Sequence, residues 1–128
     1  MESLTVLTAL TLFLVKHTLA DYFLQFSWMI KDKAIYGAKG GIAHAGLHGV
    51  LTSLVLLVMG LPIMAGLILG LIDFIIHYHI DFIKSNLWKS KNLKATDQMF
   101  WVIHGVDQML HGLTYIFIIW ILIKISAF

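Results

Sequence analysis

Two carboxylates and two imidazoles interrupt a run that is otherwise long and apolar enough to cross a bilayer. The run covers residues 61–83, and its polar members are Asp73, His77, His79 and Asp81. Asp73, His77 and Asp81 follow one another at i, i+4 and i+8, so on an α-helix they stack along one face. An isolated Asp at a bilayer centre costs roughly 2.5–3.5 kcal/mol on insertion scales. Such a stripe requires polar partners at the same depth on neighbouring helices.

The rest of the chain has the composition to supply those helices. Only 12% of the 128 residues are charged and 59% are hydrophobic, with a mean hydropathy of +0.88. A soluble domain would carry about 25% charged residues, so the chain falls in the membrane class. There is no cysteine, which excludes disulfides, thiolate metal sites and cysteine nucleophiles. The first apolar run is far longer than a signal-peptide core and no small-residue cleavage site follows a short one, so a cleaved leader is not expected. Arginine is absent and lysine is confined largely to two loops, which speaks against nucleic acid as a partner.

Four spanning segments are expected within a single integral membrane domain, residues 1–128, at about 3–30, 40–60, 61–84 and 97–126. The predicted fold is an all-α membrane protein, an antiparallel bundle of four transmembrane helices around a buried His/Asp cluster. Segment one carries His17, Asp21 and Gln25 at i, i+4 and i+8. Segment two carries His44 and His48 one turn apart, on a small-xxx-small series of Gly41, Ala45 and Gly49 that permits close helix approach. Pro62 suits the first turn of segment three. Thr96 and Asp97 form a candidate N-cap for segment four, which carries His104, Asp107, Gln108 and His111.

Seven of the nine lysines (31, 33, 39, 84, 89, 91 and 94) lie in or beside the loops after segments one and three. The opposite side offers Glu2, the lysine-free turn at Gly60 and Lys124. The positive-inside rule then places both loops in the cytoplasm and both termini outside, in the cell's inner (cytoplasmic) membrane. Trp28, Tyr36, Trp88 and Trp101 fall at that boundary, as an aromatic belt does. Measured from the lysine-rich end at about 1.5 Å per residue, all four polar sets share one slab roughly 6–20 Å deep. The other halves of the helices carry no comparable groups.

Carboxylates and imidazoles in such a slab either pair with one another or ligate metal. Neutral His nitrogen and Asp oxygen suit zinc, iron, manganese or nickel, and four-helix bundles build dinuclear sites from such groups. The ligand candidates are His17, Asp21, His44, His48, Asp73, His77, Asp81, His104, Asp107 and His111, enough for two divalent ions. Gln25 and Gln108 are expected to orient ligands rather than to bind metal. Lys84 reads as an anchor snorkelling to the interface, or as a contact to an anionic substrate. His79 points away from His77 on the helical wheel and reads as a packing residue.

These motifs resemble a family of small bacterial and phage integral membrane proteins known only as a domain of unknown function. The resemblance rests on H-x3-D-x3-Q at His17, Asp21 and Gln25, H-x3-H at His44 and His48, H-x3-D-x2-K at His77, Asp81 and Lys84, and D-Q-x2-H at Asp107, Gln108 and His111. It covers nearly the whole chain; Asp73, His79 and His104 fall outside it. It implies a membrane location and supplies no activity.

The function expected from the residues is a metal-dependent hydrolase acting on a lipid-like or phosphate-ester substrate at the cytoplasmic leaflet, with Asp107 or Asp21 as general base. The alternatives are a divalent-ion transporter or channel subunit, a b-type haem protein, and a purely structural polar core. The lipid bilayer is the expected partner, and the small-residue pairs Gly66/Gly70 and Gly105/Gly112 could also serve a homo-oligomer.

Overall fold

The computed structural model describes residues 3–125. Glu2 and the expected end of segment four, Ser126, lie outside them. Helix α1 covers Ser3–Thr18, α2 Ser27–Ile30, α3 Lys39–Val58, α4 Ile63–Ser90 and α5 Gln98–Ile125. A π-helical turn, Leu19–Phe23, continues α1. Four of these helical stretches, α1 with its π turn, α3, α4 and α5, are long and apolar enough to cross a membrane. This is an all-α, multi-pass membrane bundle. Helix α1 packs on α3 and α5, and α4 on α3 and α5, so the four spans close a ring.

The first span is not the continuous helix over residues 3–30 that its apolarity predicts. After the π turn, where the Leu24 N–H reaches the Leu19 carbonyl at 2.9 Å, the chain breaks at residues 24–26 and resumes as the single turn α2. The break frees carbonyls that lipid could not satisfy. Gln25 Nε2 covers one of them, donating to Asp21 O at 2.8 Å. Local π geometry is frequent at functional sites, and here it falls on Asp21.

At the other ends the match is closer, except that α4 runs on to Ser90, about two turns past the expected 84. Asp97 directly precedes α5, but its carboxylate accepts the Lys94 N–H at 2.7 Å instead of capping the helix.

The bundle has two unlike halves. Near the α3–α4 turn a dry core gathers Ala9, Phe13, Leu56, Leu69, Ile118, Ile119 and Leu122, and Tyr115 closes its inner edge. Towards the lysine-rich loops the interior is polar. Large apolar side chains such as Leu54, Val58, Ile68, Ile75, Ile116 and Trp120 are exposed on the outer surface, where lipid is their solvent.

Helices α3 and α4 approach closely at Gly49 and Gly70. A Cβ built on Gly49 would lie 2.8 Å from Gly70 O, and one on Gly70 2.6 Å from Gly49 O. Ser53 seals the crossing by donating to Gly49 O and Gly66 O at 3.1 Å each. By contrast a Cβ at Gly105 or Gly112 meets nothing within 4 Å. Gly70→Leu is therefore expected to cost about 1–3 kcal/mol, the range for overpacking, whereas Gly105→Leu leaves stability unchanged. Thermal unfolding in detergent measures both, and equal losses would refute the assignment of the crossing.

Candidate metal centre

The polar half of the bundle is built on two buried lysines, Lys16 and Lys33, and a half-buried one, Lys84. Lys16 of α1 is 4% exposed; its Nζ donates to Asp73 Oδ2 of α4 at 2.7 Å. Thr52 of α3 donates to the same oxygen at 2.6 Å. Lys33, from the turn after α2, folds back into the bundle, is 6% exposed, and donates to Asp81 Oδ2 at 2.5 Å and to Gln25 Oε1. Lys84 spans α4 and α5, with Asp107 Oδ2 at 2.9 Å and Asp81 Oδ1 at 3.3 Å. Each of Asp73, Asp81 and Asp107 thus has an ammonium partner. Asp21 has no lysine within ion-pair distance among the described residues and faces imidazoles instead.

Those imidazoles present the same ring atom to one point. His48 Nε2 lies 3.1 Å and His44 Nε2 3.2 Å from Asp21 Oδ1, and His77 Nε2 is 3.2 Å from His44 Nε2. Ligand atoms of Asp21, His44, His48 and His77 all lie within 4.8 Å of one another, and so do those of His77, Asp81 and His111. Two nitrogens about 2.0–2.1 Å from a tetrahedral ion are roughly 3.3 Å apart. Three of the six edges of the set, at 3.1–3.2 Å, come close to that length.

His17 stands beside this set in a different role. Gln108 Nε2 donates to Asp21 Oδ2 and to Asp107 Oδ2, at 3.1 Å each, which fixes the amide orientation. Its Oε1 therefore faces His17 Nε2 at 3.0 Å, so that nitrogen carries the proton. The opposite nitrogen, Nδ1, then accepts from Tyr115 OH at 2.7 Å. A nitrogen bearing hydrogen cannot ligate. His17 orients the Asp21 carboxylate, 3.1 Å away, and Gln108 orients both.

The profile of the family described as "Protein of unknown function (DUF3307)" matches residues 9–127. The chain belongs to that family. No curated protein matches it, and no solved structure does. The DUF3307 match spans the spans and both lysine-rich loops, so every residue of the cluster lies inside it.

Of the ten ligand candidates read from the DUF3307 sequence, His17, Asp21, His44, His48, His77, Asp81, Asp107 and His111 come together. His111 Nε2 lies 3.4 Å from Asp81 Oδ1 and 3.5 Å from Asp107 Oδ1. Asp73 is set apart, held by Lys16 and Thr52, and reaches the cluster only through Lys16, whose Nζ is 3.4 Å from His48 Nδ1. His104 is elsewhere, its ring 6.2 Å from that of Trp88 and 6.0 Å from that of Trp101. His79 is exposed and lies 3.1 Å from Tyr36 OH. Lys84 is an interior ion-pairing residue, not an interfacial anchor. Lys16, Lys33 and Tyr115 are members that the motifs did not indicate.

Removing one partner of a buried ion pair leaves a bare charge, typically at a cost of about 3–5 kcal/mol. Lys16→Met is expected to destabilise the protein by that amount, and Lys16→Met with Asp73→Leu to recover most of the loss. Unfolding titrations of both variants in detergent decide it; a double variant as weak as the single one would contradict the pairing.

Proposed function

We propose that this chain is an intramembrane metal-binding protein of the cytoplasmic membrane, and that it works as a metal-dependent hydrolase of a phosphate-ester or lipid-like substrate. The single observation that supports the reading is the Asp21/His44/His48/His77 set, in which the π turn, α3 and α4 deliver four donor groups, with edges of 3.1–3.2 Å between the closest of them. Zinc, iron, manganese and nickel all accept such a donor set.

Charge favours one ion over two. The interior holds Asp21, Asp73, Asp81 and Asp107 against Lys16, Lys33 and Lys84, leaving one carboxylate in excess. A divalent ion with one hydroxide balances that excess. Two ions would leave a surplus of positive charge that a bilayer interior does not tolerate without an anionic ligand. His77 also belongs to both donor sets, and its single Nε2 can serve only one.

When bound, such an ion lowers the pKa of a water towards neutrality and polarises a phosphoryl oxygen. The chain's own residues divide the remaining work. Asp21 is a ligand, its second oxygen held by His17 and Gln108. Asp107 keeps Oδ1 buried and without a hydrogen-bond partner beside His111 Nε2, which makes it the general base. Lys84 and Lys33 supply positive charge for developing phosphoryl charge.

The other functions fit less well. The rings of His48 and His77 stack with centroids 3.6 Å apart, and those of His77 and His111 4.1 Å apart, which leaves no slot for a macrocycle between facing histidines. A transport path through one chain would have to cross the dry core at Phe13, Leu56 and Ile118. The lysine-rich loops, with Lys31, Lys39, Lys89, Lys91 and Lys94 exposed, favour the cytoplasmic side.

Elemental analysis of purified protein is expected to find about one divalent ion per chain, in line with a four-donor site. His44→Ala and His48→Ala lose it, and His104→Ala keeps it. Metal-loaded protein is expected to cleave a member of a phospholipid and polyprenyl phosphate panel, and Asp107→Asn to slow that cleavage by about 10²–10⁴. Metal-loaded protein that leaves the whole panel intact refutes the hydrolase.

A further inference from the structure

A cleft of about 470 Å³ opens between the turn after α2, the end of α4 and the start of α5. Its walls carry Lys31, Lys33, Lys84 and Lys89, and it reaches Asp21. Lys33 and Lys84 are committed to Asp81 and Asp107. Lys31 and Lys89 are exposed and have no acidic partner among the described residues. Two free ammonium groups thus flank an opening whose inner lysines are already paired with carboxylates. His104 lines the same cleft with a half-buried ring.

The chemistry that fits is a compact anion with several acceptor oxygens. Phosphate offers those oxygens to two ammonium groups and one ring N–H at once. A bare carboxylate would leave donors unused, and a cation would meet the unpaired Lys31 and Lys89 at the mouth. Apolar side chains also line the wall, Tyr22, Ile30, Leu93 and the Trp88 ring, and Tyr22 and Ile30 are exposed, which suits a chain attached to the anion.

We propose that this cleft is a phosphate-recognition site, in which Lys31, Lys89 and His104 hold the phosphate group of a mono- or diester beside Asp21. The proposal rests on the hydrolase reading only in taking that ester as the substrate. Lys31 and Lys89 are binding residues that sequence patterning assigned to topology, and His104 is a binding residue rather than a metal ligand.

The test uses the full chain in phosphatidylcholine nanodiscs doped with phosphatidate, with lipid retention read by native mass spectrometry and metal content measured on the same samples. Phosphatidate is expected to be retained over phosphatidylcholine at one per chain. Lys31→Ala with Lys89→Ala is expected to weaken retention about 30-fold, each lysine near the surface contributing roughly a factor of five. Lys39→Ala with Lys91→Ala removes equal charge outside the cleft and is expected to cost less than about threefold. Equal losses in the two double variants would mean diffuse attraction and overturn the proposal, as would phosphatidate retained no better than phosphatidylcholine while glycerol 1-phosphate also fails to bind. Competition by glycerol 1-phosphate identifies a soluble ester as the source of the group, and its failure to compete with retained phosphatidate identifies a lipid headgroup. Metal bound without anion selectivity removes the cleft and leaves the metal centre, whereas anion selectivity without metal does the reverse.

Discussion

Charge inside a bilayer has to be compensated where it stands, and compensation is what ties this bundle together. In lipid the apolar faces of helices gain little by leaving one hydrocarbon for another, so association relies on close packing and polar contacts. Lys16 joins α1 to Asp73 of α4 and lies against His48 of α3. Lys33 brings the turn after α2 onto α4, and Lys84 joins α4 to α5. Each pair crosses between different elements or turns of the chain. The small-residue crossing at Gly49 and Gly70 completes the set by packing backbone on backbone.

The dry half of the bundle has a role in this. Tyr115 sits at the boundary, its ring stacked on Phe13 with centroids 5.3 Å apart and its hydroxyl on His17 at 2.7 Å. The Lys16 ammonium lies 4.5 Å from the centre of the same ring. Packing in the apolar half therefore holds the ring of His17 in place, and His17 with Gln108 holds Asp21. A carboxylate held from both sides cannot rotate freely to pair with an imidazole of its choice. That is the arrangement by which outer residues set the geometry of a ligand.

Much of this was legible in the sequence because depth and helical period act together. The i, i+4, i+8 spacings put His17 and Asp21, or His77 and Asp81, on one face, and depth counting put four faces in one slab. The same count passed over Lys16 and Lys33 because lysine was weighed as a topology signal. Lys16 lies fourteen residues before Ile30, and Asp73 eleven before Lys84, so including lysine in the depth argument would have paired them. Lys33 was beyond reach. Its burial depends on the break at residues 24–26, and no Gly or Pro marks that break; neighbouring aromatic residues there suit a continuous helix as well as a broken one. His104 shows the converse error, a residue in line with His111 by period but too near the helix end to reach the cluster.

The pattern of satisfied and unsatisfied atoms divides the polar half of the bundle into two groups. Buried polar groups in folded proteins are paired almost without exception, and a network retained for stability gains from having every member satisfied. The Lys16, Asp73 and Thr52 group behaves in that way. Around His44, His77 and His111 it is otherwise: His44 Nδ1, His77 Nδ1, His111 Nε2 and Asp107 Oδ1 are buried with no hydrogen-bond partner among the described residues. Three of them belong to the two donor sets; Asp107 Oδ1 lies beside His111, and two more such atoms, Asp32 Oδ1 and His104 Nδ1, lie elsewhere. The lysine pairs make the centre possible by neutralising three of its carboxylates, and in doing so they leave Asp21 as the one whose charge remains to be met.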